Sequence, residues 1–186
     1  MVLKAIRTNK MLKARCRNFC NSEDGSATVE FSIVFPVFMV IFLSLFESGL
    51  LMSKLVMLDR GVDITVRAIR LAPGSAAITH AAVKTMICEN ALILQDCEDQ
   101  IQVEMVVISA DSWTMPDASA DCIDRTSEIE PVLSFSSGAE NDIMFIRACV
   151  VVDPMFPTSG LGLALSKDAS GGIRILATSA FAIEPS

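Results

Sequence analysis

An apolar run over residues 31–53 constrains this chain more than any other feature, because Glu47 is its only formal charge. At 1.5 Å of rise per residue, a helix of roughly 23 residues would be about 35 Å long, which is enough to cross a bilayer. A secretory signal peptide has a shorter apolar core of about 7–15 residues, followed by a small-residue cleavage site. No such site closes this run, so we expect a membrane-spanning helix that the protein retains.

The charges on the two sides of the run differ in sign. Residues 1–24 hold six cations and two anions, which gives them a net charge of about +4. Because the formal charge of the whole chain is −7, the remaining residues carry about −11. Positive residues beside a span favour the cytoplasmic side, so we expect a basic cytoplasmic leader and an extracytoplasmic C-terminal part. Nucleic-acid binding by the leader is the alternative. Phe19 is the only aromatic residue there, and we expect no nucleic-acid partner.

A short motif, Gly-Ser-Ala-Thr-Val-Glu-Phe at residues 25–31, joins the leader to the apolar run. An ionised carboxylate within a membrane costs roughly 2.5–3.5 kcal/mol on insertion scales, so Glu30 needs a partner. The motif resembles the processing site of type IV pilin-like proteins, specifically the TadE/TadF-like pseudopilins of the tight-adherence (Flp-type) pilus system. This resemblance implies that a prepilin peptidase cuts between Gly25 and Ser26, which makes Glu30 the fifth and Phe31 the sixth residue of the mature chain. It also implies that Glu30 and Phe31 serve in assembly or in recognition by the peptidase.

The same resemblance implies a role and a set of partners. Glu30 would pair with the new α-amine of Ser26 on a neighbouring subunit and set the axial register, in a minor pilin needed for pilus assembly. The implied partners are the lipid bilayer, the prepilin peptidase, other pilin and pseudopilin subunits and the tight-adherence secretion machinery. In the simpler interpretation, Glu30 only favours the positive end of the helix dipole, by about 0.3–1 kcal/mol. The alternative function is an uncleaved single-pass envelope protein with a periplasmic scaffold or binding domain.

The location implied is the bacterial inner membrane, with the N-terminus in the cytoplasm, the C-terminal domain in the periplasm and an extracellular position once in a pilus. Two features of the span leave alternatives open. Five phenylalanines spaced three or four apart line one helical face, either towards lipid or between subunits. They are Phe31, Phe35, Phe38, Phe42 and Phe46. Glu47 fits the headgroup boundary, a pair with Lys54, or the inside of a helix bundle.

The chain of 186 residues divides into three predicted parts: a leader at 1–25, a helix at 26–72 and an extracytoplasmic α+β domain at 73–186. The helix is pilin-like, since its apolar spacing continues past the membrane and stops at Ala72-Pro73-Gly74. The apolar residues that continue this spacing beyond the membrane form a stripe of Leu55, Leu58, Val62, Val66 and Ile69. Gly61 lies within it and is interpreted as a hinge, because glycine weakens a helix by about 1 kcal/mol.

The sequence of the predicted extracytoplasmic domain, called the outer domain below, indicates one further helix and several strands. Alanine-rich residues 75–95 predict the helix, and residues 101–108, 144–152 and 173–181 predict strands, with a short one at 132–136. Alternation at 101–105 predicts a half-buried strand with Gln102 and Glu104 on its solvent side. One long helix, a shorter one and successive strands indicate an antiparallel sheet.

Four cysteines, Cys88, Cys97, Cys122 and Cys149, follow the span and would reach an oxidising compartment. We expect two disulfides. Of the three pairings we favour Cys88 with Cys97 and Cys122 with Cys149, because the first closes a short loop beside a helix end. A zinc site is not expected, since no C-x-x-C occurs and His80 is the single histidine.

The residue types needed for catalysis are sparse. His80 is the only histidine and lies on a predicted helix, where a half-exposed structural role is the simpler interpretation. Acidic residues near positions 96–99 and 117–124 lack the spacing of a calcium loop. We expect no enzymatic activity, no cofactor and no metal. Trp113, the only tryptophan, is predicted to be a partly buried anchor or a contact surface.

Overall fold

A helix of 46 residues, α1 (Ser26–Leu71), dominates the computed structural model, which describes residues 26–71, 78–117, 122–126 and 133–185. The helix is long and apolar enough to cross a membrane, and its most hydropathic window is uncovered by protein. Its last residue lies one position before the predicted end. The predicted stop at Ala72-Pro73-Gly74 lies outside the described residues, as does the leader with Gly25.

The chain forms two compact units, residues 1–42 and residues 43–186. The first contains the N-terminal part of α1, whose side chains are largely exposed. The second contains the rest of α1, and there the predicted apolar stripe is confirmed. Leu58, Val62, Val66 and Ile69 are all at most 5% exposed and belong to the main core.

Helix α2 (His80–Asn90) packs against α1 at Gly61. A Cβ atom on Gly61 would lie 2.7 Å from the carbonyl oxygen of Ile87, which is closer than real side chains approach. Ile87 and Val83 are fully buried on this face of α2. Glycine at position 61 therefore permits a close contact between the two helices, and its role as a hinge stays a prediction.

Helix α2 is shorter than the predicted 75–95. Its start is set by Thr79, whose hydroxyl accepts a hydrogen bond from the Ala82 amide at 3.2 Å. Its end is set at Ala91, a fully buried residue whose amide donates to the carbonyls of Ile87 and Cys88. The chain then turns into α3 (Cys97–Gln100), which brings Cys97 to Cys88. The predicted start at residue 75 lies outside the described residues.

Three strands form one antiparallel sheet in the order β1-β2-β3: β1 (Ile101–Ile108), β2 (Ile143–Val152) and β3 (Ile173–Ala182). In its register Ile101 lies opposite Val150, and Ile143 lies opposite both Ile108 and Ala182. A short helix, α4 (Gly160–Ala164), lies between β2 and β3. The fold class predicted from the sequence, a long helix followed by a small α+β domain with an antiparallel sheet, is confirmed.

Both faces of β1 and β2 are largely covered, whereas the second face is exposed along β3. The cover over β1 corrects the prediction of a solvent side on that strand. One face contributes apolar residues such as Val103 and Ile146 to the core. On the other face Gln102 is 4% exposed and Glu104 pairs with the buried Arg147. Arg147 also donates to the carbonyl of Asp117 at 2.6 Å, so a connecting segment lies over this face.

The predicted short strand at 132–136 is reduced to a single parallel bridge between Phe135 and Met105. The Met105 amide donates to the Ser134 carbonyl at 3.1 Å, and the Ser136 amide donates to the Met105 carbonyl at 2.8 Å. Residues on both sides of Phe135 up to β2 have no strand assignment, and Val132 lies outside the described residues. The segment thus shields part of the outer edge of β1 without extending the sheet.

Two disulfides fix the outer domain. Cys88 is joined to Cys97, which confirms that predicted pair, and Cys122 is joined to Cys149. The first links the end of α2 to α3. The second ties the segment around Cys122 to the middle of β2, on the face that holds Arg147.

Candidate functional site

The predicted assembly residues lie on the N-terminal part of α1. Glu30 is exposed, and Phe31 is 62% exposed. Within the part of the chain that the structure describes, no ion pair involves Glu30. Gly25 lies outside the described residues, and only the backbone of Ser26 is described, as the first residue of α1.

All five members of the phenylalanine stripe are also exposed. Phe31, Phe35, Phe38 and Phe42 are 40–62% exposed. Within the stripe, the ring centroids of Phe31 and Phe35 lie 5.0 Å apart and those of Phe38 and Phe42 lie 6.4 Å apart. A continuous apolar face of this kind on a helix suits lipid or the same helix of another subunit.

Glu47 has a different environment from Glu30, because it is only 2% exposed. Its two carboxylate oxygens accept hydrogen bonds from the backbone amides of Met155 and Phe156, each at 3.0 Å. Charge-assisted bonds of this type contribute about 1.5–3 kcal/mol each. The hydrogen bonds to the loop after β2 therefore explain why Glu47 lies in the apolar run. None of the three environments predicted for Glu47 includes this loop.

A second bond attaches the same loop to α1. The amide of Leu161, at the start of α4, donates to the hydroxyl of Ser44 at 3.2 Å. The rings of Phe46 and Phe156 meet edge to face with centroids 6.4 Å apart. Gly162 is buried against the Phe156 carbonyl, where a Cβ atom would clash. One turn of α1, residues 44–47, thus holds a loop more than a hundred residues further along the chain.

The contact between this loop and α1 was not predicted from the sequence. Two features of the sequence indicate the loop itself: the prolines Pro154 and Pro157, and the absence of charge from residue 154 to residue 166. Prolines lack an amide hydrogen and end strands, so they predict an irregular segment after β2. Nothing in the spacing of the sequence relates that segment to Glu47.

A cleft of about 350 Å³ lies beside Glu47 in the second unit. Leu50 and Lys54 of α1 line one side, and Ile93 and Arg125 line others. Arg125 donates to both carboxylate oxygens of Asp153, at 2.9 and 2.7 Å. These bonds hold the pKa of Asp153 below its ordinary value and raise the pKa of Arg125. Arg125 and Asp153 therefore form an ion pair at this cleft.

The remaining residues singled out from the sequence take structural positions. His80 begins α2, and its Nε2 lies 3.0 Å from the carbonyl oxygen of Val103. Trp113 is 64% exposed, so the anchor interpretation is wrong and the contact-surface interpretation remains a prediction. Over the described ranges, no group of three His, Cys, Asp or Glu side chains could hold a metal ion.

With this geometry in place, comparison with protein families gives one match. Residues 25–67 match the family described as TadE-like protein. The match is consistent with a TadE-like pilin of the tight-adherence pilus system, and it confirms the resemblance predicted from the motif. It covers most of α1 and none of the sheet. Comparison with curated proteins and with solved structures gave no match.

The family match has two consequences that hold at a general level. TadE-like pilins are a structural family without enzymatic activity, so the match does not point to catalysis. Among the residues that the structure describes, one N-terminal apolar helix is long enough to cross a membrane, which indicates single-pass membrane anchoring. The matched segment begins at Gly25 and includes Glu30 and Glu47, the two acids among residues 26–53.

Proposed function

We propose that this chain is a minor pilin or pseudopilin of a tight-adherence pilus or secretion system, cut by a prepilin peptidase between Gly25 and Ser26 and needed for pilus assembly. The observation that carries the proposal is Glu30: an exposed acid at the mouth of an apolar helix, five residues after the glycine where the family match begins. The peptidase performs the chemistry, and this chain is its substrate.

The mechanism of assembly follows from charge and solvation. Cleavage frees the α-amine of Ser26, which carries a positive charge at neutral pH. In the bilayer this amine and Glu30 of a neighbouring subunit are each costly alone, and a pair relieves both. Removing one partner of a buried pair costs about 3–5 kcal/mol, so the pair favours one axial register over all others.

The phenylalanine stripe supplies the packing surface that goes with this charge pair. Phe31 directly follows Glu30, and four further rings continue along the same face. Because lipid chains are as apolar as the rings, helix association in the bilayer depends on close packing and on the polar contact. We infer that the stripe packs between subunits after assembly, and that Glu30 selects which subunits meet. The proposed location is the bacterial inner membrane, with the leader in the cytoplasm before cleavage.

The test is a Glu30→Gln variant, which keeps the size of the side chain and removes its charge. We expect the variant to be inserted and cut normally, but to reduce pilus assembly by about 100-fold or more, the factor that a loss of about 3 kcal/mol produces. The matched control is Asp59→Asn, which removes an exposed acid from the outer part of the same helix. Normal pili from Glu30→Gln would contradict register setting, and defective pili from both variants would point to a general effect of charge.

A further inference from the structure

The loop that Glu47 and Ser44 hold is placed by those bonds at the depth of the membrane. Residues 31–53 form the apolar run, and Ser44 lies about 20 Å along it from residue 31, in a hydrocarbon layer about 30 Å thick. The loop therefore lies beside the part of the span nearer to the sheet domain. We define the apolar loop as residues 154–166, which contain no charged side chain.

The apolar loop exposes large hydrophobic side chains at this level. Met155 is 59% exposed and Leu163 is 67% exposed, next to the 69% exposed Leu45 and the 47% exposed Phe46 of α1. The turn after α2 adds another such residue, since Ile93 is 41% exposed and lines the same cleft as Glu47. Exposed apolar side chains gathered on one level of a water-soluble surface would be unfavourable.

Part of the backbone of the apolar loop has hydrogen-bond partners within the protein. Irregular backbone is excluded from hydrocarbon unless its polar groups have partners within the protein. Glu47 binds the amides of Met155 and Phe156, and Ser44 binds the amide of Leu161. The amides of Ser159 and Leu165 donate to carbonyls inside the loop. Its two prolines have no amide hydrogen to satisfy.

The charges that flank the apolar loop are also accounted for. Asp153, before the loop, forms the bidentate pair with Arg125. Lys167, after the loop, donates from Nζ to the Pro157 carbonyl at 2.6 Å. Both flanking charges thus have partners within the protein, and the loop between them contributes only uncharged side chains. An uncharged segment between two partnered charges suits an element seated in a lipid interface.

We propose that the apolar loop is a second membrane-contacting element, which enters the leaflet nearer to the sheet domain and places Met155 and Leu163 against lipid chains. We identify lipid as the partner that covers the exposed side chains of the loop, because the loop is bonded to residues of the span itself. The inference rests on single-pass anchoring and does not depend on cleavage or pilus assembly. Glu47 then has a defined role, because its side-chain oxygens provide the acceptors for two amides of the loop backbone within the apolar run.

The native tryptophan provides the control for a test by fluorescence quenching. Trp113 follows β1, whose last residue, Ile108, pairs with Ile143 at the end of the sheet opposite to Val152. Nine steps of β2 separate those ends by about 30 Å, so Trp113 should lie well away from the bilayer. The test variants carry Trp113→Phe together with Leu163→Trp or Met155→Trp. A Trp113→Phe, Phe38→Trp variant reports on the span.

Each full-length variant is reconstituted in phosphatidylcholine vesicles whose acyl chains are brominated either near the headgroup or near the tail end. We expect Leu163→Trp and Met155→Trp to be quenched several-fold more than native Trp113, and most by the bromines near the headgroup, as for an element seated about 5–10 Å into the interface. Phe38→Trp should be quenched most by the deep bromines. Intact disulfides in each variant show that the outer domain has folded.

Three results would overturn the proposal. Emission from Leu163→Trp and Met155→Trp that matches native Trp113, while Phe38→Trp is quenched, would place the loop in water. Blue-shifted emission without quenching would mean that protein, such as a second copy of this chain, covers the loop. Absence of quenching in the Phe38→Trp variant would mean that the apolar run does not cross the bilayer, and the proposal would fail with it. None of these results depends on the leader, so they are distinct from failure of the proposed pilin function.

Discussion

The bond between Glu47 and the apolar loop gives the most quantitative prediction. Glu47→Ala removes the acceptor of two backbone amides, those of Met155 and Phe156, and leaves both without a protein partner. At about 1.5 kcal/mol for each charge-assisted bond, docking of the loop on α1 should weaken by about 3 kcal/mol. Glu47→Gln keeps one acceptor oxygen and loses the charge, so about half of that loss is expected.

Native-state hydrogen exchange in detergent micelles measures this effect at the two amides. A loss of about 3 kcal/mol makes exchange about 100-fold faster in Glu47→Ala, and half of that loss makes it about 10-fold faster in Glu47→Gln. Amides in the middle of β2 should be unchanged. The matched control is Glu30→Ala, which removes an exposed acid from the same helix and should leave both amides as they are. Unchanged exchange at Met155 and Phe156 in Glu47→Ala would refute the reasoning.

Two further predictions concern the outer domain. Gly61→Ala should destabilise it by about 1–3 kcal/mol in denaturant unfolding, because the new methyl group meets the Ile87 carbonyl, whereas Gly49→Ala, which meets nothing within 4 Å, should be neutral or stabilising. Equal effects of the two glycine variants would contradict close packing at Gly61. Arg125→Gln should raise the pKa of Asp153 towards its ordinary 3.8 in a carboxyl NMR titration. The lowered pKa in the wild type means that the pair stabilises the fold above about pH 4 and that this is lost as the pH falls through the folded-state pKa. Because Asp153 is 69% exposed, the contribution should stay below about 1 kcal/mol. An unchanged pKa in the variant would exclude the pair as the cause.

Features with a short sequence period could be predicted well. The stripe that includes Leu58 and Val62 repeats every three or four residues, so the buried face of α1 was predictable from spacing alone. The strands at 101–108 and 173–181 were predictable for the same reason, within one residue of their observed ends. The disulfide between Cys88 and Cys97 was favoured because only a short loop separates the two cysteines.

Features that depend on distant contacts could not be predicted. The burial of Gln102 depends on a connecting segment from elsewhere in the chain, so its polar character alone suggested exposure. The close approach at Gly61 depends on α2, and a glycine inside a helix suggests flexibility when its neighbour is unknown. The partner of Glu47 lies more than a hundred residues away, and no local pattern indicates it.

The candidate assembly site shows the same division. The register of Gly25, Ser26 and Glu30 was readable from the sequence, and the family match over residues 25–67 includes all three residues. The pairing of Glu30 involves a second subunit, and a single chain contains no information on that contact. The prediction for Glu30 therefore depends on assembly experiments, whereas the prediction for Glu47 can be tested on the isolated protein.

The most direct test of the proposed function is intact-protein mass spectrometry of the chain purified from the membrane of cells that contain its prepilin peptidase. We expect a mature form that begins at Ser26, with both disulfides present, and accumulation of the full-length form when the peptidase is deleted. A chain that still begins at Met1 in the presence of the peptidase would contradict processing and leave a single-pass envelope protein with a disulfide-bonded outer domain.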